Sequence, residues 1–252
     1  MTLSVIVITK NEALMIGRCL ASVSWADEII VVDSGSTDGT QALCRTFTPH
    51  VIDADWPGFG AQKNRALKLA TAEWVLSLDA DEYLTPASQD EIRAAITAPS
   101  LYSAYRLPRR SSYCGRFLRH GGWYPDYVIR LFRRNGAHFS EDLVHERVVT
   151  KGRIGTLHHP LCHETYRDLE EVVDKVNTYS TAGAAMAVAR HKRISFAGTI
   201  GRAAWSFIRT YLLRGSILDG VEGLMLAIST AEVTYYKYAK LYLANKRSHE
   251  ND

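Results

Sequence analysis

The segment Trp74-Val-Leu-Ser-Leu-Asp-Ala-Asp-Glu82 changes from apolar to acidic within a few residues. Its first part, Trp74–Asp79, has the composition typical of a parallel strand that is buried on both faces. Its second part places three carboxylates within four residues, which is unfavourable unless a cation lies among them. Alone, that part is equally consistent with a solvent-exposed turn before a helix capped by Thr85, so the surrounding segments must decide.

Two earlier segments have the same design. Leu3–Thr9 is an apolar run followed by Lys10-Asn-Glu12, and Glu28–Asp33 is an apolar run followed by Ser34-Gly-Ser-Thr-Asp38. Helical patterns over residues 13–23, 40–47 and 61–72, with a short strand over 51–54, separate the apolar runs. This alternation predicts a parallel sheet with right-handed crossovers. Ligands bind at the carboxyl ends of such strands, so we expect the three polar segments to meet at one edge.

The second half of the chain has a different pattern. Residues 102–109 and 127–133 are predicted strands, and the pattern is helical from about residue 167 to the end. No acid occurs between Asp174 and Asp219. The helix predicted within this stretch has one apolar face, and Arg202 and Arg209 lie on the opposite face. The apolar face comprises Ile200, Ala204, Phe207, Ile208 and Tyr211. Two interpretations stay open: a helix that docks on anionic lipid, and a helix packed on the rest of the protein with solvated arginines.

Composition excludes several classes of protein. With 252 residues, 46% hydrophobic and 23% charged, the chain is long enough for a substantial core and is not of disordered composition. Its four cysteines form no CxxC pair, which argues against a zinc ribbon and a disulfide scaffold. Residues 1–98 have a net charge of −6 and residues 99–252 of +9, which favours a phosphate-bearing partner or an anionic membrane surface. We see no signal peptide, no membrane-spanning stretch and no nucleic-acid module, and expect no nucleic-acid partner.

Single residues at the predicted sheet edge have competing interpretations. Asp33 is placed to accept hydrogen bonds from a base or ribose, or to cap the turn that follows it. Asp38 is expected to cap the next helix. Lys63 and Arg65, near the start of the helix predicted over 61–72, suit a diphosphate, although a surface lysine is the competing interpretation.

Four ordered motifs resemble family 2 glycosyltransferases. They are Thr9-Lys-Asn-Glu12, Val31-Val-Asp-Ser-Gly-Ser-Thr-Asp-Gly-Thr40, Gln62-Lys-Asn-Arg-Ala66 and Leu78-Asp-Ala-Asp-Glu82. The resemblance implies the α/β GT-A (nucleotide-diphospho-sugar transferase) fold, a Rossmann-like, mostly parallel sheet with helices on both faces. It also implies a catalytic domain over residues 1–165, with a nucleotide-binding half (1–98) and an acceptor half (99–165), followed by a helical C-terminal extension over 166–252.

Later motifs narrow the resemblance. Gly121-Gly-Trp-Tyr-Pro-Asp126, Arg130-Leu-Phe-Arg133, Val144-His-Glu146, His163 and Asp219-Gly220 look like lipopolysaccharide core glycosyltransferases that add glucose to inner-core heptose. The resemblance implies an inverting enzyme that transfers a hexose, glucose first, from a UDP-sugar. It implies a lipid-linked phosphorylated oligosaccharide as acceptor. The free cysteines favour a reducing cytoplasm, and the lipid-docking interpretation of the basic helical tail would make the protein peripheral on the cytoplasmic face of the anionic inner membrane.

The resemblance also suggests roles for individual residues. The residues expected to bind the nucleotide-sugar are Thr9, Asn11, Glu12, Asp33, Lys63, Asp79, Ala80, Asp81 and Arg130. Asp81 and His163 are expected to bind Mg²⁺ or Mn²⁺, with a packed interior histidine as the alternative for His163. Trp123, Tyr124 and Asp126 are expected to contact the acceptor, although aromatic residues at such positions also serve packing.

The general base is expected to be a carboxylate near the acceptor hydroxyl. Glu146 and Asp142 are the candidates, and the Val-His-Glu motif favours Glu146. For either acid, a salt bridge to Arg147 or Arg130 is the structural alternative. Other functions remain open: the same fold acting on polyprenyl phosphate, an exopolysaccharide or a protein, or a nucleotide-sugar binding protein without catalysis. A dehydrogenase is disfavoured because no Gly-rich phosphate loop follows the first strand.

Overall fold

A computed structural model describes residues 2–99, 101–140 and 146–250, with the side chains of 248–250 excepted. The chain forms two compact units. The first comprises residues 1–109 and 126–163, and the second comprises residues 110–125 and 164–252.

The first unit alternates strands and helices from its beginning. Its elements in chain order are β1 (Leu3–Thr9), α1 (Ile16–Ala21), β2 (Glu28–Asp33), α2 (Thr40–Arg45), β3 (Val51–Asp53), α3 (Phe59–Leu69), β4 (Trp74–Asp79), β5 (Glu82–Leu84), α4 (Pro86–Thr97), β6 (Tyr102–Tyr113), β7 (Arg116–Phe117), β8 (Asp126–Arg133), β9 (Ala137–Phe139), β10 (Val148–Thr150), β11 (Arg153–Thr156) and β12 (Leu161–Tyr166). Of these, β7 and the ends of β6 and β12 belong to the second unit.

The central sheet confirms the predicted parallel arrangement. Strands β3, β2, β1 and β4 lie side by side in that order, and β1 pairs in parallel with both β2 and β4. Strand β8 then adds antiparallel to β4, and the first part of β6 adds antiparallel to β8. The three strands predicted from Leu3, Glu28 and Trp74 have the bounds expected from the sequence.

Helices cover both faces of the sheet. Alternate side chains of β1 point to opposite faces and therefore pack against different helices. Leu3, Val5 and Val7 are fully buried in a cluster with α1 and α4. Ile6 and Ile8 are buried in a second cluster with α3. At roughly 1.5–3 kcal/mol for each fully buried aliphatic side chain, these two clusters supply the main favourable term for the first unit.

Several predicted helices are too long. The helix expected over 13–23 occupies only Ile16–Ala21, and the one expected over 61–72 occupies Phe59–Leu69. The second helix starts earlier because Gly58, at φ 110°, turns the chain just before it. It ends earlier because Ala70 is already extended, ahead of β4.

Three long helices form most of the second unit, namely α5 (Leu169–Ala189), α6 (Phe196–Ile208) and α7 (Gly220–Glu250). Asp168 caps α5 by accepting the Glu171 amide at 2.9 Å, and Ser195 caps α6. Tyr113, Leu118, Val172, Val176 and Leu226 form the buried apolar cluster of this unit. The helices of the described part of the chain are all too short or too polar to cross a bilayer.

Candidate active site

Three strand ends meet at one edge of the sheet, as the sequence predicts. Thr9 at the end of β1 lies opposite Asp33 at the end of β2. Ile8, one residue earlier, lies opposite Asp79 at the end of β4. The polar segments after these strands are therefore neighbours in the folded chain.

The segment after β2, residues 33–41, is named the Asp33 loop. Its Asp33 side chain is fully buried and accepts the Ser36 amide at 2.8 Å, the Ser36 hydroxyl at 2.5 Å and the Gln41 amide nitrogen at 2.6 Å. Asp33 therefore caps the turn that follows it, the alternative interpretation of this residue. Contact with a base or ribose stays a prediction.

The Asp33 loop is bonded to the segment after β1. Asn11 has a left-handed backbone at φ 56°, donates its amide to the Ser36 hydroxyl at 2.7 Å and accepts the Thr37 amide at 2.9 Å. The Glu12 amide donates to the Thr40 hydroxyl at 2.8 Å. These bonds fix the two segments as one preformed surface beside the strand ends.

Asp38 has the structural role expected from the sequence. Its carboxylate accepts the Thr40 amide and hydroxyl, and also the Ala13 amide. The Thr40 hydroxyl bond is the main reason that the pKa of Asp38 is lowered. Asp38 therefore joins the start of α2 to the segment after β1.

Four charged side chains, Lys63, Asp79, Glu82 and Arg130, form a group named the Asp79 cluster. Lys63 Nζ lies 2.7 Å from Asp79 Oδ1, while one Arg130 nitrogen contacts Asp79 Oδ2 and lies 2.6 Å from Glu82 Oε1. Glu82 is fully buried and also accepts the Asp79 amide. Two of the three crowded acids of the opening segment, Asp79 and Glu82, are thus neutralised by cations of the protein itself.

The opposing charges within this cluster shift the pKa values of Asp79 and Arg130. Burial raises the pKa of Asp79, but the opposing charges of Arg130 and Lys63 outweigh it, so the pKa lies well below its ordinary value. Burial lowers the pKa of Arg130, but the Asp79 and Glu82 charges raise it further. The Asp79–Arg130 pair therefore stays ionised at neutral pH.

The motif Gln62-Lys-Asn-Arg65 ties α3 to five separate positions of the first unit. Gln62 donates to the Ser34 hydroxyl at 2.9 Å, Asn64 exchanges two 2.8 Å bonds with the Phe139 backbone, and Arg65 pairs with Asp55. Lys63 reaches both Asp79 and Glu146, each at 2.7 Å.

The position of Lys63 contradicts two interpretations made from the sequence. Lys63 is 2% exposed and not a surface lysine, because α3 packs its Lys63 side onto the strand edge. The cation paired with Glu146 is Lys63, whereas the sequence suggested Arg147 or Arg130. The other candidate base, Asp142, lies outside the described residues.

Asp81 and His163 are close enough to share a ligand. His163 Nε2 lies 3.1 Å from Asp81 Oδ2, because β12 pairs antiparallel with β5 directly after the acidic segment. The described residues contain no group of three or more His, Cys, Asp or Glu side chains that would enclose a metal. One carboxylate and one imidazole fit a divalent cation whose other ligands are substrate oxygens and water, and the imidazole suits Mn²⁺ better than Mg²⁺.

A cavity of about 400 Å³ opens beside the Asp79 cluster, within the size range of small-ligand sites. Lys63, Asp79, Arg130 and Glu146 line it together with Arg109. The sequence prediction missed Arg109, although an arginine inside a strand is a signal for a buried acid partner. Its side chain donates to Asp126 at 2.6 and 3.0 Å.

Asp126, expected to bind the acceptor, is therefore engaged by Arg109. Trp123 packs in the second unit against Tyr113 and Tyr166, with ring centroids 5.9 and 5.8 Å apart. Tyr124 is half-buried, and Ala80 is buried behind the acidic segment. The acceptor roles of Trp123, Tyr124 and Asp126 stay predictions, as do the donor roles of Thr9, Glu12, Ala80 and Arg130.

Comparison with known proteins gives a consistent result. Residues 4–147, more than half of the chain, match the family model described as Glycosyl transferase family 2. LpsC, a lipopolysaccharide core biosynthesis glycosyltransferase of Rhizobium meliloti (strain 1021), is 32% identical over 95% of this chain and 92% of its own length. RP128, an uncharacterized glycosyltransferase of Rickettsia prowazekii (strain Madrid E), is 31% identical over 95% of this chain and 86% of its own.

Among solved structures, S. aureus TarS 1–349 aligns with a TM-score of 0.47 and 16% identity, over 100% of this chain and 92% of that one. The family assignment rests on the sequence matches, and the sheet order and helices agree with the GT-A-like α/β fold expected of that family. The chain belongs to glycosyl transferase family 2.

Proposed function

We propose that this protein is a metal-dependent, inverting glycosyltransferase that moves a hexose, glucose first, from a UDP-sugar to an inner-core heptose of lipopolysaccharide. The observation that carries the proposal is the similarity to LpsC, which extends over 95% of the chain. The acceptor is then a phosphorylated oligosaccharide carried on a lipid.

The donor side of the reaction is assigned to the strand-end segments. Asn11, Glu12 and Asp33 bind the nucleotide, on the surface that the Asp33 loop preforms. Asp81 and His163 would hold Mg²⁺ or Mn²⁺, and the ion would supply positive charge for the diphosphate leaving group. Lys63 and Arg130, the cations of the Asp79 cluster, border the cavity in which that group would lie.

Proton removal is assigned to Glu146. Its carboxylate lines the cavity and is held at 2.7 Å by Lys63, so its position is fixed before substrate arrives. Glu146 takes the proton of the acceptor hydroxyl while that oxygen attacks the anomeric carbon and the bond from this carbon to UDP breaks. Attack opposite the leaving group inverts the anomeric configuration.

The first experiment is a donor screen. Release of nucleotide from UDP-sugars is measured with and without truncated core acceptor, in Mn²⁺, Mg²⁺ or EDTA. We expect acceptor-stimulated release from UDP-glucose that EDTA abolishes. Product with polyprenyl phosphate, exopolysaccharide or protein instead would move the proposal to that acceptor, and tight UDP binding without release or transfer would contradict catalysis.

Two variants separate the metal from the base. Asp81→Asn should lose metal-dependent turnover, and unchanged turnover would contradict its role. Glu146→Gln should retain UDP binding and lose transfer by roughly 10²–10⁴-fold. Asp90→Asn, which removes an exposed acid paired with Arg93, serves as the control. If Asp142→Asn abolishes transfer and Glu146→Gln does not, the base is Asp142.

A further inference from the structure

The connection between α6 and α7, residues 209–221, is named the apolar turn. It contains a short π-helical turn over Arg209–Leu213, a 3-10 turn over Ser216–Asp219 and the first residues of α7. Five aliphatic side chains within it are 47–70% exposed: Leu212, Leu213, Ile217, Leu218 and Val221. Isolated exposed leucines are common in proteins, but five within ten residues are not explained by chance exposure.

The polar residues of the apolar turn are buried instead. Thr210, Ser216 and Asp219 are at most 5% exposed. The Ser216 hydroxyl donates to the Thr210 carbonyl at 3.0 Å, and Asp219 accepts the His120 amide at 2.8 Å. The usual distribution of polar and apolar side chains is therefore inverted, and the buried polar groups are satisfied by hydrogen bonds.

These internal contacts also prevent the leucines from turning inward. The Arg214 carbonyl accepts the Gly121 amide at 2.9 Å. Gly223 packs so closely that a Cβ there would lie 1.8 Å from the Ser216 carbonyl oxygen. The outward direction of the aliphatic side chains is thus fixed by the fold of the second unit.

The stretch of chain that leads into the apolar turn carries only positive charge. Residues 175–218 contain no acid and seven Lys or Arg, and Arg209 and Arg214 are exposed within the turn itself. Of the two acids that come next in the sequence, Asp219 is 5% exposed and accepts the Arg119 and His120 amides, and Glu222 pairs with Arg116 at 2.6 Å. Apolar side chains flanked by Arg209 and Arg214, which pair with no carboxylate of the described residues, match a surface that is anionic outside and apolar beneath.

We propose that the apolar turn inserts into the interface of a bilayer containing anionic lipids, with Arg209 and Arg214 on the headgroups. A protein partner fits less well, because protein interfaces centre on aromatic anchors and are depleted of charge at their core. The attachment is interfacial, since the described helices do not cross a bilayer. The proposal does not depend on the identity of the transferred sugar or acceptor.

The first test uses the full chain and vesicles of two compositions, phosphatidylcholine alone and phosphatidylcholine with 30% phosphatidylglycerol. Co-sedimentation should give a partition coefficient at least about twenty-fold higher on the anionic vesicles, at about fivefold for each of two arginines. The difference should shrink at high salt. Failure to bind either vesicle, or equal binding to both, overturns the proposal.

The second test uses matched variants. The triple change Leu213→Ser, Leu218→Ser, Val221→Ser should lower partitioning by about thirtyfold or more, because three apolar side chains leave the bilayer interface. The control Leu101→Ser, Val173→Ser, Leu243→Ser removes side chains of similar size and exposure elsewhere and should bind like the unmodified chain. Equal loss in both overturns the assignment to the apolar turn.

Two further measurements complete the experiment. Circular dichroism and thermal melting check that both triple variants fold. If the variant of the apolar turn does not fold, the double variant Arg209→Gln, Arg214→Gln replaces it in the binding assay. That double variant should lose the preference for anionic vesicles. Sedimentation velocity without lipid tests whether a second copy of the chain, and not a bilayer, covers the apolar turn. A dimer that the turn variant disrupts, in a chain that does not bind vesicles, overturns the proposal.

Discussion

The Asp33 loop and the Asp79 cluster both contain a carboxylate that is fully buried, yet they neutralise it differently. Asp33 is satisfied by Ser36 and Gln41, neutral donors within eight residues of it. Glu82 and Asp79 are satisfied by full positive charges, and Arg130 comes from 51 residues beyond Asp79. The donors to Asp33 are neutral and near it in the sequence. The partners of Asp79 and Glu82 are charged, and Arg130 is distant from them in the sequence.

The difference predicts different sensitivity to substitution. Loss of a neutral donor costs one hydrogen bond, whereas loss of a buried cation leaves an uncompensated charge in the interior. The Asp33 loop should therefore tolerate single changes that the Asp79 cluster does not. Four variants test this contrast.

Arg130→Met should have the largest effect. It leaves Glu82 buried, with Arg109, 3.6 Å away, as its one remaining ion-pair partner among the residues that the structure describes. We expect the free energy of unfolding to fall by about 3–5 kcal/mol, measured by urea denaturation at neutral pH. Adding Glu82→Gln to this variant should restore part of the loss, because the buried charge is then removed.

The control for Arg130→Met is Arg65→Met. Arg65 also pairs with an acid, but Arg65 and Asp55 are 36% and 80% exposed. Its removal should cost about 0–1 kcal/mol. Equal losses in the two variants would show that the buried cluster has no special energetic role.

Lys63→Met should be less damaging than Arg130→Met. Asp79 retains Arg130, and Glu146, whose side chain is 17% exposed, can be hydrated. We expect a loss of about 1–3 kcal/mol, together with weaker binding of UDP-sugar. Lys68→Met, on an exposed position of the same helix, is the control and should change neither measurement.

The pH dependence of stability should also differ. Because the pKa of Asp79 is lowered in the folded protein, the unfolded chain takes up its proton first as the pH falls below about 3.8. Stability from this group is therefore present above that pH and is lost below it. Asp79→Asn should flatten the acid slope of the unfolding free energy by at most about 1.4 kcal/mol per pH unit.

Asp38→Asn is the comparison within the Asp33 loop. The pKa of Asp38 is also lowered, by the Thr40 hydroxyl, but its carboxylate is exposed and its donors are neutral. Its removal should flatten the slope less than Asp79→Asn does. Acid slopes that change equally in the two variants would contradict the distinction.

The sequence predicted the first sheet well because its signals are local. Leu3–Thr9, Glu28–Asp33 and Trp74–Asp79 are continuous apolar runs with polar residues directly after them, so both their bounds and the meeting of their ends followed. Helix bounds were less accurate, since the residues that end α3 are set by the strand that follows.

The ionic partners could not be predicted in the same way. Arg130 meets Asp79 and Glu82 only because β8 adds antiparallel to β4, a pairing between segments distant in sequence. From the sequence, Arg130 was expected to contact the nucleotide-sugar or to pair with Glu146 or Asp142, and nothing near it in the chain points to Asp79 and Glu82. Lys63 likewise became a buried bridge to Asp79 and Glu146 through the packing of α3 onto the strand edge.

Ser36→Ala should have the smallest effect of the four. It removes the hydroxyl that donates to Asp33 and accepts the Asn11 amide, while Asp33 keeps the Ser36 amide and Gln41. We expect a loss of about 1 kcal/mol in urea denaturation, and Ser24→Ala, on the surface, should lose less. A loss of stability close to that of Arg130→Met would mean that the rest of the Asp33 loop depends on this hydroxyl. Neutral donors near in sequence would then be as important for stability as the buried cations.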